Sequence, residues 1–353
     1  MKTFEVLAKA VHAQNITHCF SLMGDGNMHF SGALAHQGVG FTYVRHEHCA
    51  VSMAMAHARV TGGVGFATVT CGPGLTQTMT SLTAAVRANI PLVIFSGESP
   101  VSVNWYNQEI DQAPFVVACG ADYERILHKP RMISQVQNVF ARSILTRSPI
   151  VLGMPFDLQE SEWDNKQTSF DISESLIPVS GRVYPDPQTI SEISRLIKAA
   201  KRPLIVGGRG AMLSNAGPEC ETLAEKIGAL LVTTLPARGL FVNSPFSLNI
   251  TGGFASDTAR EACNDADLVI AVGTSLASHS TDSGRLYKNA KILHIDLVPR
   301  IYSQGRVAAH FHIRADAKVG IKSLIESLNE KVMVKRDTIY WRDSLISKQA
   351  NAK

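Results

Sequence analysis

The chain has 353 residues, more than a single core usually serves, so two domains are expected. With 45% hydrophobic and 18% charged residues and a net charge of +4, it has the composition of an ordinary globular protein, and the lack of any strong basic run argues against nucleic-acid binding. No stretch approaches a membrane-spanning length of apolar residues, Met1-Lys2-Thr3-Phe4-Glu5 lacks a signal-peptide pattern, and six scattered cysteines without a Cys-x-x-Cys suit a reducing compartment, so a cytoplasmic protein without membrane contact is expected.

In chain order, Phe4 to Gln14 carries apolar residues at helical spacing, and His18-Cys19-Phe20-Ser21-Leu22 reads as a strand. Met23-Gly24-Asp25-Gly26-Asn27 is a tight loop, a helix runs through Ala33-Leu34-Ala35, and Phe41-Thr42-Tyr43-Val44 is a β-branched and aromatic strand. Arg45-His46-Glu47-His48-Cys49-Ala50 then opens a helix that Gly62-Gly63 ends. Gly65 to Thr70 is another strand, closed by Cys71-Gly72-Pro73-Gly74. A helix over Thr78 to Arg87 leads to the apolar strand Pro91 to Phe95. Gly97 to Gln112 is irregular and polar, and a loop this long inside a compact domain tends to be functional. Helix Met132 to Thr146 and strand Pro149 to Gly153 complete the first unit.

A second unit starts near Gln188. Helix Ile190 to Ala200, strand Pro203 to Gly207, helix Pro218 to Ile227 and strands Ala229 to Val232, Asp267 to Gly273 and Lys291 to Asp296 repeat the pattern. The expected fold is therefore α/β: two doubly wound parallel-sheet domains in tandem, over 1–160 and 188–327, with a polar linker at 161–187 and a charged tail at 328–353. Gly207-Gly208-Arg209-Gly210 follows a strand but lacks the full G-x-G-x-x-G pattern, so a plain strand-to-helix turn accounts for it better than a dinucleotide loop.

In such sheets ligands gather at the carboxyl ends of the strands. Gly24-Asp25, Glu47 and Gly72-Pro73-Gly74 fall at the ends of three different strands. Glu47 shares a helical face with Ala50, Val51, Ala54, Met55 and Ala58, so a buried carboxyl group is expected there, one that needs a donor or stays protonated. Alternatively, Glu47 could satisfy orphan amides of the helix start. A metal could also sit among His46, His48, Cys49 and His57, although the His-Glu-x-x-His spacing is absent.

Read together, these segments resemble the thiamine diphosphate enzymes of the acetolactate synthase and 2-oxoacid decarboxylase superfamily, over nearly the whole chain. Arg45-His46-Glu47 with Ala50, and His57 to Gly62, resemble the segment carrying that family's cofactor-contacting glutamate. Thr70-Cys71-Gly72-Pro73-Gly74 resembles its Gly-Pro-Gly turn, Asn107-Gln108-Glu109 its Gln-Glu segment, and Asn289 to Asp296 the end of its central domain. The resemblance implies a pyrimidine-binding first domain and a central Rossmann-like domain. It implies Glu47 and Gln108 as catalytic residues and Gly24, Asp25, Glu47, Gly72, Pro73 and Gly74 as cofactor-binding residues, with no metal ligand in this chain. The cofactor would be thiamine diphosphate, activated by a carboxyl hydrogen bond to its pyrimidine ring, and the substrate a small 2-oxo acid.

The family's diphosphate-binding domain, which holds magnesium, has no counterpart here. Gly24-Asp25-Gly26-Asn27 copies the letters of its motif but lies on the pyrimidine side. The chain is thus expected to be a fragment or one half of a split enzyme, a homo-oligomer or the partner of a separate diphosphate-domain chain. Asn107 where acetolactate synthases tend to carry Phe, and no Lys in Ala118-Cys119-Gly120-Ala121, favour a decarboxylase or another carboligase. FAD, held by the central domain of some relatives, is not favoured because the loop at Gly207 is incomplete. The competing expectation is a catalytically inactive or regulatory homologue without cofactor.

Overall fold

The structure is a computed structural model that describes residues 1–164, 169–300, 302–303, 306–328 and 334–351. The chain forms two compact units, Met1–Val179 and Ser180–Lys353.

The first unit is built on β1 (His18–Ser21), β2 (Gly40–Tyr43), β3 (Gly65–Val69), β4 (Leu92–Glu98), β5 (Asp122–Arg125) and β6 (Pro149–Pro155). They form one parallel sheet in the order β2-β1-β3-β4-β6-β5. Side chains alternate across β4: Val93 and Phe95 join Leu7, Phe30, Phe66 and Phe140 on one face, while Ile94 joins Ala50, Ala54, Leu75 and Leu82 on the other. Burial on both faces makes the inner strands continuous apolar runs, which is why they are legible in sequence. Strand β5 is not, because Asp-Tyr-Glu-Arg runs against strand propensity. It forms at the sheet edge, where Arg142 pairs with Asp122 and Glu124.

The segment expected as a linker, 161–187, divides between the two units. Up to Val179 it packs on the first: Trp163 N–H donates to the Met1 carbonyl at 2.9 Å, and buried Ser173 donates its N–H to Gln14 Oε1 at 2.7 Å. Polar residues forming these bonds gave it the look of a linker. From Ser180 it belongs to the second unit, where Arg182 pairs with Asp316 at 3.0 Å.

The second unit contains β7 (Pro203–Gly207), β8 (Leu230–Thr233), β9 (Ser247–Ile250), β10 (Leu268–Val272), β11 (Lys291–Asp296), a short ribbon of β12 (Tyr302–Ser303) and β13 (Arg306–Val307), and β14 (Phe311–Arg314). Its parallel sheet runs β14-β11-β10-β7-β8-β9. The expected tail is corrected here. Residues Arg336–Asn351 form a helix whose Trp341 and Leu345 are buried with Val206, Val232, Leu248 and Ala262, and Lys348 pairs with Glu261. Its apolar residues are too few for a periodic pattern, but two large ones reach the core. Trp341→Ala should destabilise the second unit by about 3–5 kcal/mol, the cost of a large core truncation. An unchanged denaturation midpoint would show the helix to be dispensable. Among the described residues, no helix is long and apolar enough to cross a membrane.

Candidate active site

The first sheet reverses its winding between β1 and β3, the switch point at which open parallel sheets form a ligand crevice. The segments after these two strands touch. A Cβ placed on Gly24 would lie 2.8 Å from Thr70, and Gly26 N–H donates to Thr70 Oγ1 at 3.2 Å. Buried Asn27 shapes the first loop from within. Its Oδ1 accepts from Gly24 N–H at 2.9 Å, while its amide donates to the Leu22 carbonyl and to Thr68. Asp25 is left exposed at the loop tip, where it accepts from the Tyr106 hydroxyl at 3.3 Å.

Strand β2 delivers Glu47 to the same rim, as the first residue of the Glu47–Thr61 helix. Ala50, Val51, Ala54 and Ala58 are buried along that helix, and a Cβ on Gly65 of β3 would meet the Ala54 carbonyl at 2.3 Å. Small residues on both partners thus let the helix lie directly on the strand. Its amino end is capped by His46, whose Nδ1 accepts from His48 N–H at 3.1 Å. The Glu47 carboxyl group is therefore not the cap, and among the described residues it takes no hydrogen bond. Oε1 lies 3.5 Å from where a Cβ on Gly74 would be, and the place of that side chain is taken by the Thr70 methyl group, 2.6 Å from it.

One expectation is corrected: Glu47 is only partly buried in this chain. Its helical neighbours face the sheet, but the helix begins beyond the strand ends, where the described residues cover Glu47 only in part. Beside it, His46 serves as the cap and His48 lies 3.4 Å from Ser52.

Gly72 joins the crevice to the irregular segment after β4. Its backbone has φ +58° and ψ −114°, and a Cβ there would sit 2.0 Å from the Gln108 carbonyl oxygen. The place of the missing side chain is thus taken up by Gln108. Gln108 also receives the Cys71 thiol on its Oε1 at 3.3 Å. Burial pushes the Cys71 thiol up, and burial, aided by Cys71 and Asp25, pushes Tyr106 up to about 12, so both remain protonated donors near neutrality.

The structure thus brings Gly24, Asp25, Glu47, Gly72, Pro73, Gly74 and Gln108 to one end of the sheet. Sequence reasoning missed Tyr106 and Gln112, which meet this group. Gln112 is buried and accepts from Gly72 N–H at 2.7 Å. The available sign was its place at the end of a polar loop, directly before a helix that carries Pro114 in its first turn.

In the second unit the switch point lies between β7 and β10. There Gly208 N–H donates to the Val272 carbonyl and Gly210 N–H to the Gly273 carbonyl, both at 2.8 Å. Amides that a phosphate loop would aim at its ligand are spent on the end of β10 and the residue after it.

Two parallel α/β units, the first with a carboxyl group beside a Gly-Pro-Gly turn at its switch point, define a cofactor-binding enzyme class. Residues 1–115 match the thiamine pyrophosphate enzyme N-terminal TPP binding domain, and residues 190–324 the thiamine pyrophosphate enzyme central domain. The chain belongs to the thiamine pyrophosphate enzyme family. It is 29% identical over 340 residues to a probable acetolactate synthase large subunit of Methanococcus aeolicus, covering 93% of this chain and 56% of that protein. It is 29% identical over 307 residues to sulfoacetaldehyde acetyltransferase of Castellaniella defragrans, covering 84% and 50%, and 27% identical over 346 residues to acetolactate synthase isozyme 3 large subunit of Escherichia coli, covering 93% and 58%. The chain thus spans little more than half the length of the relatives it matches.

Proposed function

We propose that this chain supplies the pyrimidine side of a thiamine diphosphate-dependent lyase or transferase that decarboxylates or ligates small 2-oxo acids. Acetolactate synthases and a sulfoacetaldehyde acetyltransferase among its relatives support that chemistry. One observation carries the reading: at the carboxyl end of a parallel sheet, the Glu47 carboxyl group is free of capping duty, takes no hydrogen bond among the described residues, and lies beside the Gly-Pro-Gly turn, with Oε1 3.5 Å from the Cβ position of Gly74. When bound, thiamine diphosphate supplies a carbon nucleophile and an electron sink for loss of carbon dioxide.

Glu47 would hold a proton at the pyrimidine ring nitrogen, and Gly72, Pro73 and Gly74 would support the ring. The Glu47 carboxyl group is only partly buried in this chain, and cover from outside the unit would complete its enclosure. Met23, Tyr43 and Trp105, all exposed in the segments at this end of the strands, offer an apolar surface for that cover. Asp25, Tyr106 and Gln108 would meet the reacting end. We assign the cover to a diphosphate-binding domain that also carries the magnesium ligands, met as a second copy or as a separate chain. FAD is given no role, because the amides at Gly208 and Gly210 are already engaged.

Native mass measurement of the assembly from its source tests this. A complex that contains this chain and a diphosphate-binding domain, retains thiamine diphosphate and releases carbon dioxide from a 2-oxo acid is expected. An assembly of this chain that contains no diphosphate-binding domain and takes up no thiamine diphosphate would favour a catalytically inactive homologue.

A further inference from the structure

We propose that Gln112 is the positioning residue of the Gly72-Pro73-Gly74 turn, holding it in place against Glu47 through a chain of hydrogen bonds anchored on Glu98. The proposal rests on the assignment of this crevice as a pyrimidine site.

Gln112 is 2% exposed, and both ends of its amide are fully engaged. Oε1 accepts from Gly72 N–H at 2.7 Å and from Ser96 Oγ at 3.3 Å. Nε2 donates to the Gly97 carbonyl at 3.1 Å and to the Tyr123 hydroxyl oxygen at 2.9 Å. The orientation is fixed by chemistry, since Gly72 N–H can only donate and the Gly97 carbonyl can only accept. Tyr123 in turn gives its proton to Glu98 Oε1 at 2.5 Å, and Arg125 Nε donates to the same oxygen at 2.7 Å. The order is therefore Gly72 to Gln112, Gln112 to Tyr123, and Tyr123 to an arginine-held carboxylate. In a water-poor interior each bond of such a chain polarises the next, so charge at Glu98 strengthens the grip on Gly72.

That grip matters because the turn has a hard stop on one side only. The Gln108 carbonyl oxygen occupies the place of a Gly72 side chain, while the amide opposite would be an orphan donor at the start of the short Pro73–Thr76 helix. Gln112 satisfies that donor. Two residues on, Gly74 faces Oε1 of Glu47, so a shift of the turn alters the space in which the pyrimidine ring would sit. Asparagine would be one methylene short, and a carboxylate could not donate to Gly97.

The test uses the full chain labelled with ¹⁵N-glycine and compares wild type with Gln112→Met and Gln112→Glu. The Met variant keeps the volume and loses every bond. The Glu variant keeps an acceptor for Gly72 but sets a second carboxylate beside Glu98, so it should melt lower than Met. Positioning predicts the opposite order at the amide: exchange of Gly72 N–H about tenfold faster in the Met variant, and close to wild type in the Glu variant. Unchanged exchange in the Met variant, or exchange that simply follows melting temperature, overturns the proposal. Should neither variant fold, Tyr123→Phe decides, since it leaves the Gln112 amide and cuts the link to Glu98. A severalfold faster Gly72 exchange is expected, and wild-type exchange overturns the proposal. Thiamine diphosphate with magnesium, titrated into the labelled wild-type chain assembled with its diphosphate-binding domain, should move the Gly72 and Gly74 resonances. No movement overturns the assignment of the site, while the exchange rates still decide what Gln112 does to the turn.

Discussion

Glu47→Gln should leave the melting temperature of the chain unchanged and slow proton exchange at C2 of bound thiamine diphosphate by about 10²–10⁴-fold in the complete assembly, the range for loss of a positioned acid–base group. The physical ground is a division of labour at the helix start. His46 takes the orphan amide of His48, so the Glu47 carboxyl group makes no contribution to the cap. Glutamine preserves its size and can still donate to a ring nitrogen, but it cannot exchange a proton with it. His46→Ala is the control, expected to cost about 1 kcal/mol of stability, as lost caps do. Near wild-type exchange in Glu47→Gln, with a lowered melting temperature, would return Glu47 to a structural role.

Gly72→Ala should be the most damaging small substitution at the crevice, at about 2–4 kcal/mol. Two costs coincide there. A backbone at φ +58° and ψ −114° strains any residue with a side chain, and the new Cβ would fall 2.0 Å from the Gln108 carbonyl oxygen. That contact cannot relax without moving the backbone of the segment that also presents Gln112. Gly63→Ala is the comparison: its nearest atom would be 3.8 Å away, and a change within about 0.5 kcal/mol is expected. Equal denaturation midpoints for the two variants would show that Gln108 does not clamp the turn.

The doubly wound architecture and the group of residues at the rim were already legible in the order of amino acids. Parallel strands buried on both faces must be apolar runs, and glycines must stand where loops pack against each other, so Phe66 to Val69, Leu92 to Phe95 and Gly72-Pro73-Gly74 could be read one by one. Their convergence followed from strand ends sharing one edge. The state of each group, by contrast, was settled by packing between distant segments. Helical periodicity placed Glu47 on an apolar face, but the first turn overhangs the sheet, so its carboxyl group is half open. The edge strand Asp122–Arg125 and the Arg336–Asn351 helix form because partners far away in sequence supply ion pairs and a core for Trp341. Gln112 belongs to the same class. A glutamine before a helix has no local pattern to distinguish it. Its role arises only where Gly72 beyond β3, Gly97 of β4 and Tyr123 of β5 bring their polar atoms to a single amide.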